Sequence, residues 1–122
     1  MFFKNAASGA AAEAATGRIL RSAGLEPVSQ VSFRLPSMRL SRADFVAKTA
    51  SNQIKVIESK SGNASLTSNQ QELRQAVLNG TAVPVGRNVA AAGLLPGVPL
   101  SEQTSGTATF ETFQWFQLPT PH

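Results

Sequence analysis

The chain has 122 residues, a length that suits one domain. It carries eleven Lys and Arg against seven Asp and Glu, a formal charge of +4 that favours a polyanionic partner. It has no cysteine and its one histidine is His122, which excludes disulfides, thiolate zinc sites, Cys nucleophiles and Ser-His-Asp catalysis.

There is no GxxxxGK[ST] for a nucleotide phosphate, and no apolar run approaches the roughly 20 residues that span a bilayer. The apolar start Met1-Phe2-Phe3 stops at Lys4, too short for a signal peptide, and residues 1–5 are expected to fray. Residues 5–23 are alanine-rich, which predicts a helix closed by Gly24, with Ala12, Ala15, Ile19 and Ala23 on its packing face. Its one acid is Glu13. A first strand is predicted from Val28, since Pro27 fits only a strand start. Residues 36–41 form a loop.

Two runs with strand chemistry follow, 42–49 and 54–60, and the four residues between them suit the turn of an antiparallel hairpin. With the turn centred on Ser51, Phe45 pairs with Ile57, Val46 with Val56 and Lys48 with Ile54, and Asp44 lies opposite Glu58. Glu58 and Lys60 share a face because strand side chains alternate. That register gathers two carboxylates and an ammonium, a repulsive set unless a divalent cation joins it. A slip of one residue would set Asp44 opposite Ser59 instead. The plainer alternative is a solvated hairpin face with a Glu–Lys pair, although Asp is disfavoured inside strands.

Ser61-Gly62-Asn63 breaks the second strand, and Thr67 to Gln70 has capping-box spacing, which opens a helix running to about Leu78 and ended by Asn79-Gly80. Gln70 has two candidate roles, in the cap and in an active site, and one amide is not expected to serve both. Residues 81–86 predict a further strand, at an edge because of Pro84. Residues 93–106 read as loop. Residues 107–118 predict a last strand with apolar side chains on both faces, stopped by Pro119 and Pro121. Its Phe110, Phe113, Trp115 and Phe116 suit core packing better than a base-stacking platform.

Asp44, Glu58-Ser59-Lys60, Ser61-Gly62 and Thr67 to Gln70, in this order and spacing, resemble the PD-(D/E)xK nuclease superfamily. No Pro precedes Asp44 here; the neighbour is Ala43. The resemblance implies an α/β fold over residues 1–122, with a restriction-endonuclease-like core in which helices flank a central mixed sheet in the order αβββαβ. It implies Asp44, Glu58, Lys60 and Gln70 as catalytic residues, with Mg²⁺ or Mn²⁺ on Asp44, Glu58, the Ser59 carbonyl and Glu13. For Glu13 the alternative is a solvated helix residue. Arg39, Arg42 and Lys48 are candidate contacts to nucleic acid, DNA before RNA. Residues 57–70 also resemble the C-terminal nuclease domains of bacterial polymorphic toxins (type VI and contact-dependent effectors). That likeness, together with the abrupt Ala/Gly-rich start, implies a delivered effector acting in a target-cell cytoplasm, with an acidic immunity protein as partner. A cytoplasmic resolvase or repair nuclease and a non-catalytic nucleic-acid-binding module are the alternatives.

Overall fold

A computed structural model describes residues 2–4, 9–104 and 108–116. In chain order the elements are β1 (Phe2–Lys4), α1 (Gly9–Ser22), β2 (Val28–Arg34), β3 (Leu40–Lys48), β4 (Ile54–Ser61), α2 (Ser68–Asn79), β5 (Val83–Val85), α3 (Leu100–Gln103) and β6 (Ala108–Phe116). The six strands form one mixed sheet in the order β1-β6-β4-β3-β2-β5. The hairpins β2–β3 and β3–β4 are antiparallel, whereas β6 lies parallel to β4. Parallel neighbours need a crossover, and the chain through α2, β5 and α3 supplies it.

The sheet is covered on both faces. One core joins Val31, Phe33, Val46, Ile54 and Val56 to Leu73, Ala76 and Val77 of α2. The other joins Phe45, Ile57, Phe113 and Trp115 to Ala12 and Leu20 of α1. Phe113 and Trp115 are therefore core residues. Edge strand β5 carries Pro84, where a missing N–H costs the ladder least. Gly80, at φ 74°, closes α2 in the left-handed conformation that L side chains avoid.

Three expectations differ from what is observed. Strand β3 begins at Leu40, inside the expected 36–41 loop, because Leu40 and Ser41 pair with Arg34 and Phe33 of β2. Phe2–Lys4, expected to fray, pairs with the end of β6 as a parallel strand. Leu100–Gln103, expected as loop, is a short helix anchored by the fully buried Leu100. The first helix begins at Gly9, and residues 5–8 lie outside the described residues, as do 107 and 117–122.

The hairpin register is the expected one: Phe45↔Ile57, Val46↔Val56 and Lys48↔Ile54. At Asp44 the regular pattern ends. The β3–β4 ladder stops at Phe45↔Ile57, while β4 continues beside β6 through Ser61↔Trp115 and β3 continues beside β2 through Leu40↔Arg34. The sheet forks here, with Leu40–Ala43 on one limb and Glu58–Ser61 on the other.

A second irregularity coincides with the fork. Val28 and Val31 both pack in the α2-side core, and so do Ala43 and Val46. Residues three apart on a regular strand face opposite sides, so β2 and β3 both change phase between these positions. The pairing omits Gln30 and Asp44 between Ser29↔Phe45 and Val31↔Ala43. Gln30 takes φ 58°, a left-handed conformation that costs a residue with a Cβ of order 1 kcal/mol.

Candidate functional site

Glu58 follows Ile54 and Val56 on the face of β4 that packs against α2, and it is fully buried. Its Oε2 accepts a hydrogen bond from Gln70 Nε2 at 3.3 Å, whereas its Oε1 is buried and meets no donor among the described residues. Burial raises the Glu58 pKa to about 9; the Asp44 charge and a hydrogen bond shared with Asp44 add to the rise, and the Lys60 cation opposes it. Asp44 holds the crotch of the fork. Its Oδ2 accepts the Ser59 N–H at 2.8 Å, a side-chain bond where a regular hairpin would continue its ladder.

Ser59 is fixed from the opposite face. Its Oγ lies 3.1 Å from Thr16 Oγ1, which also approaches the Ala12 carbonyl at 2.8 Å and accepts Trp115 Nε1–H at 2.8 Å. The buried Thr16 thus ties α1, β4 and β6 together and sets the pleat that turns Glu58 and Lys60 towards α2. Lys60 is half-buried, and its side chain has no hydrogen-bond or ion-pair partner among the described residues.

Gln70 makes the cap and also reaches Glu58. Its Oε1 accepts the Thr67 N–H at 2.9 Å and its own N–H reaches Thr67 Oγ1 at 3.1 Å, a complete capping box. The amide nitrogen is left for Glu58. One side chain serves both because the cap uses its acceptor and the carboxylate uses its donor.

Asp44, Glu58, Ser59, Lys60 and Gln70 are brought together. The other candidates sit elsewhere. Glu13 accepts Gln30 Nε2–H at 2.7 Å, and no group of three or more His, Cys, Asp or Glu side chains forms among the described residues. Lys48 lies at the turn end of the hairpin, where its Nζ donates to the Gly93 carbonyl at 3.3 Å. Arg39 is exposed in the β2–β3 turn, and Arg42 is exposed on the opened limb of β3.

Gln30, Asn69 and Asn88 have no motif to mark them in the sequence. Asn69 Nδ2 donates to the Leu40 carbonyl at 2.9 Å and ties α2 to the opened limb. Asn88 Nδ2 donates to the Gln30 carbonyl at 3.0 Å and to the Ser29 carbonyl at 3.3 Å.

The donor set suits a hard divalent cation. Two carboxylates converge, one of them with a buried oxygen lacking a donor, and their mutual repulsion is what a cation relieves. Two protein carboxylates, with water and substrate oxygens completing the shell, is a usual arrangement for Mg²⁺. No helix among the described residues is long and apolar enough to cross a membrane. No family model, curated protein or solved structure matches the chain. The fold and site define an α/β protein with a mixed sheet opened beside a carboxylate pair, the buried Glu58 and the half-buried Asp44.

Proposed function

We propose that the protein hydrolyses phosphodiester bonds in nucleic acid, DNA in preference to RNA, with Mg²⁺ or Mn²⁺ held by Asp44 and Glu58. The observation that carries this reading is the fully buried Glu58 carboxyl beside Asp44 at the point where the sheet opens, with an Oε1 that no N–H or hydroxyl among the described residues reaches. The succession α1-β2-β3-β4-α2-β6 supports the likeness to the PD-(D/E)xK core, with β1, β5 and α3 as additions.

A divalent ion in such a site supplies Lewis acidity to the phosphate and acidifies water. The protein's own residues do the rest. Asp44 and Glu58 give hard anionic oxygens, and Gln70 orients the Glu58 carboxylate. Lys60, two residues and about 6.6 Å along the same face, would as an ammonium orient the attacking water and offset charge in the transition state, or as the neutral amine take the proton of that water. Histidine is not needed for any of these tasks.

Purified protein should cleave DNA with Mg²⁺ or Mn²⁺ and stop with EDTA. Glu58→Ala and Lys60→Ala should each lose at least about a hundredfold in rate, the scale of a lost general base or charge stabiliser. Undiminished cleavage by either variant would refute the assignment. Binding without cleavage in every metal would favour the non-catalytic module, and a preference for branched DNA would favour a resolvase.

A further inference from the structure

On the α1-side face of the sheet, next to the opened limb of β3, lies a polar cleft of about 350 Å³ lined by Gln30, Ser32, Arg42, Val85, Arg87 and Asn88. Ser32 pairs with Arg42 on one side and with Val85 on the other, so adjacent strands present these side chains on one surface. Arg42 and Arg87 are exposed, and neither side chain has an ion-pair or hydrogen-bond partner among the described residues. Two guanidinium groups therefore border one concavity. The carboxylate nearest to it in the bonding network, Glu13, is engaged by Gln30 Nε2.

The floor of the cleft is built and strained. Gln30 sits in the left-handed region at φ 58°, held by Glu13 through its side chain and by Asn88 through its carbonyl. A conformation that costs free energy persists only where its surroundings over-determine it, and such positions gather at ligand sites. Gln30 also lies across from Asp44 at the shared phase change of β2 and β3. Arg42 is two residues from Asp44, about 6.6 Å along the strand. Arg42 faces the α1 side of the sheet and Glu58 the α2 side, and the gap left where the β3–β4 ladder ends, beside Asp44, is where the two faces meet.

We propose that the Arg42–Arg87 cleft seats a backbone phosphate of the nucleic acid, next to the phosphodiester placed at Asp44 and Glu58. This rests on the nuclease reading. It names the surface that positions the substrate and adds Arg87, which no motif marks, as a binding residue. Guanidinium groups suit the task because their fork of donors matches phosphate oxygens in two-point contact.

The test measures binding of a 20-base-pair duplex to the whole chain in EDTA, across a series of salt concentrations. Each phosphate neutralised contributes about 0.9 to the slope of log K against log salt. Arg87→Gln and Arg42→Gln should each lower the slope by about that amount and weaken binding about tenfold at low salt. Arg87→Lys should keep the slope, and Lys55→Gln should change nothing because Lys55 is paired with Glu111 at 3.5 Å. With Mg²⁺ present, Arg87→Gln should raise KM and spare kcat. A folded Arg87→Gln protein with wild-type slope and KM overturns the cleft while the nuclease reading stands. A wild-type protein that neither binds nor cleaves nucleic acid overturns both.

Discussion

Glu58 has the least comfortable position of any residue described: a carboxyl with no solvent exposure, one oxygen without a donor, and a second carboxyl beside it. One proton resolves this, and so does one cation. The folded pKa is about 9 against an ordinary 4.5, so between these values the folded state keeps a proton that the unfolded state has released. The Glu58 contribution to metal-free stability is therefore fully present below pH 4.5 and is lost as pH rises towards 9. By pH 7 the loss is of order 3 kcal/mol. Glu58→Gln, neutral at every pH, should flatten that decline in urea unfolding of EDTA-treated protein and be the more stable form at pH 8. An unchanged decline in the variant would place the pH dependence elsewhere. Cation binding must displace the same proton, so Mg²⁺ affinity should rise up to about tenfold per pH unit in this window. Calorimetry in two buffers of different ionisation heat would detect about one proton released per ion.

Helix α2 connects local folding to the site through Gln70. Thr67→Ala removes a cap and should cost about 1 kcal/mol of stability, with little effect on the Glu58 environment. Gln70→Glu separates the two tasks of the residue. It preserves the acceptor that caps Thr67 but replaces the donor to Glu58 with an oxygen of a third carboxylate. Metal-free Gln70→Glu protein should melt below Gln70→Ala despite its better cap, and Mg²⁺ should raise its melting temperature more than that of wild type. If Gln70→Glu and Gln70→Ala melt together with and without the ion, the contact with Glu58 has no energetic role. Thr16 works from the other face of the sheet, locking Ser59 and with it the direction of Glu58 and Lys60.

Considered whole, the molecule is a sheet closed by helices on both faces and opened at one place. A net charge of +4 favours polyanions, and the proposed phosphate seat places two arginines beside the fork to receive them. The delivered-toxin setting remains a proposal at this scale. Wild-type protein made in bacterial cytoplasm should arrest growth, Glu58→Ala should be tolerated, and an acidic partner should neutralise the wild type with an association rate that falls as salt rises. Normal growth with soluble, active enzyme would remove that setting and leave a housekeeping nuclease.

Several parts of this protein were legible in the chain alone, because they depend on local chemistry. The alanine-rich run and Gly24 mark α1, Thr67 with Gln70 marks the start of α2, and Gly80 marks its end. The length of the turn and the alternation of Phe45, Val46, Val56 and Ile57 set the hairpin register, since a slip would turn the apolar side chains to the wrong core. Phe2–Lys4 was not legible as a strand, because three residues carry no period and their pairing depends on a β6 more than a hundred positions away. The fork was not legible either. It arises where β4 stays with β6 and β3 stays with β2, a competition between distant partners that no local pattern records. The same holds for Gln30, Asn88 and Arg87. Only the folded sheet sets a strained glutamine opposite Asp44, with an asparagine fifty-eight residues away to hold it.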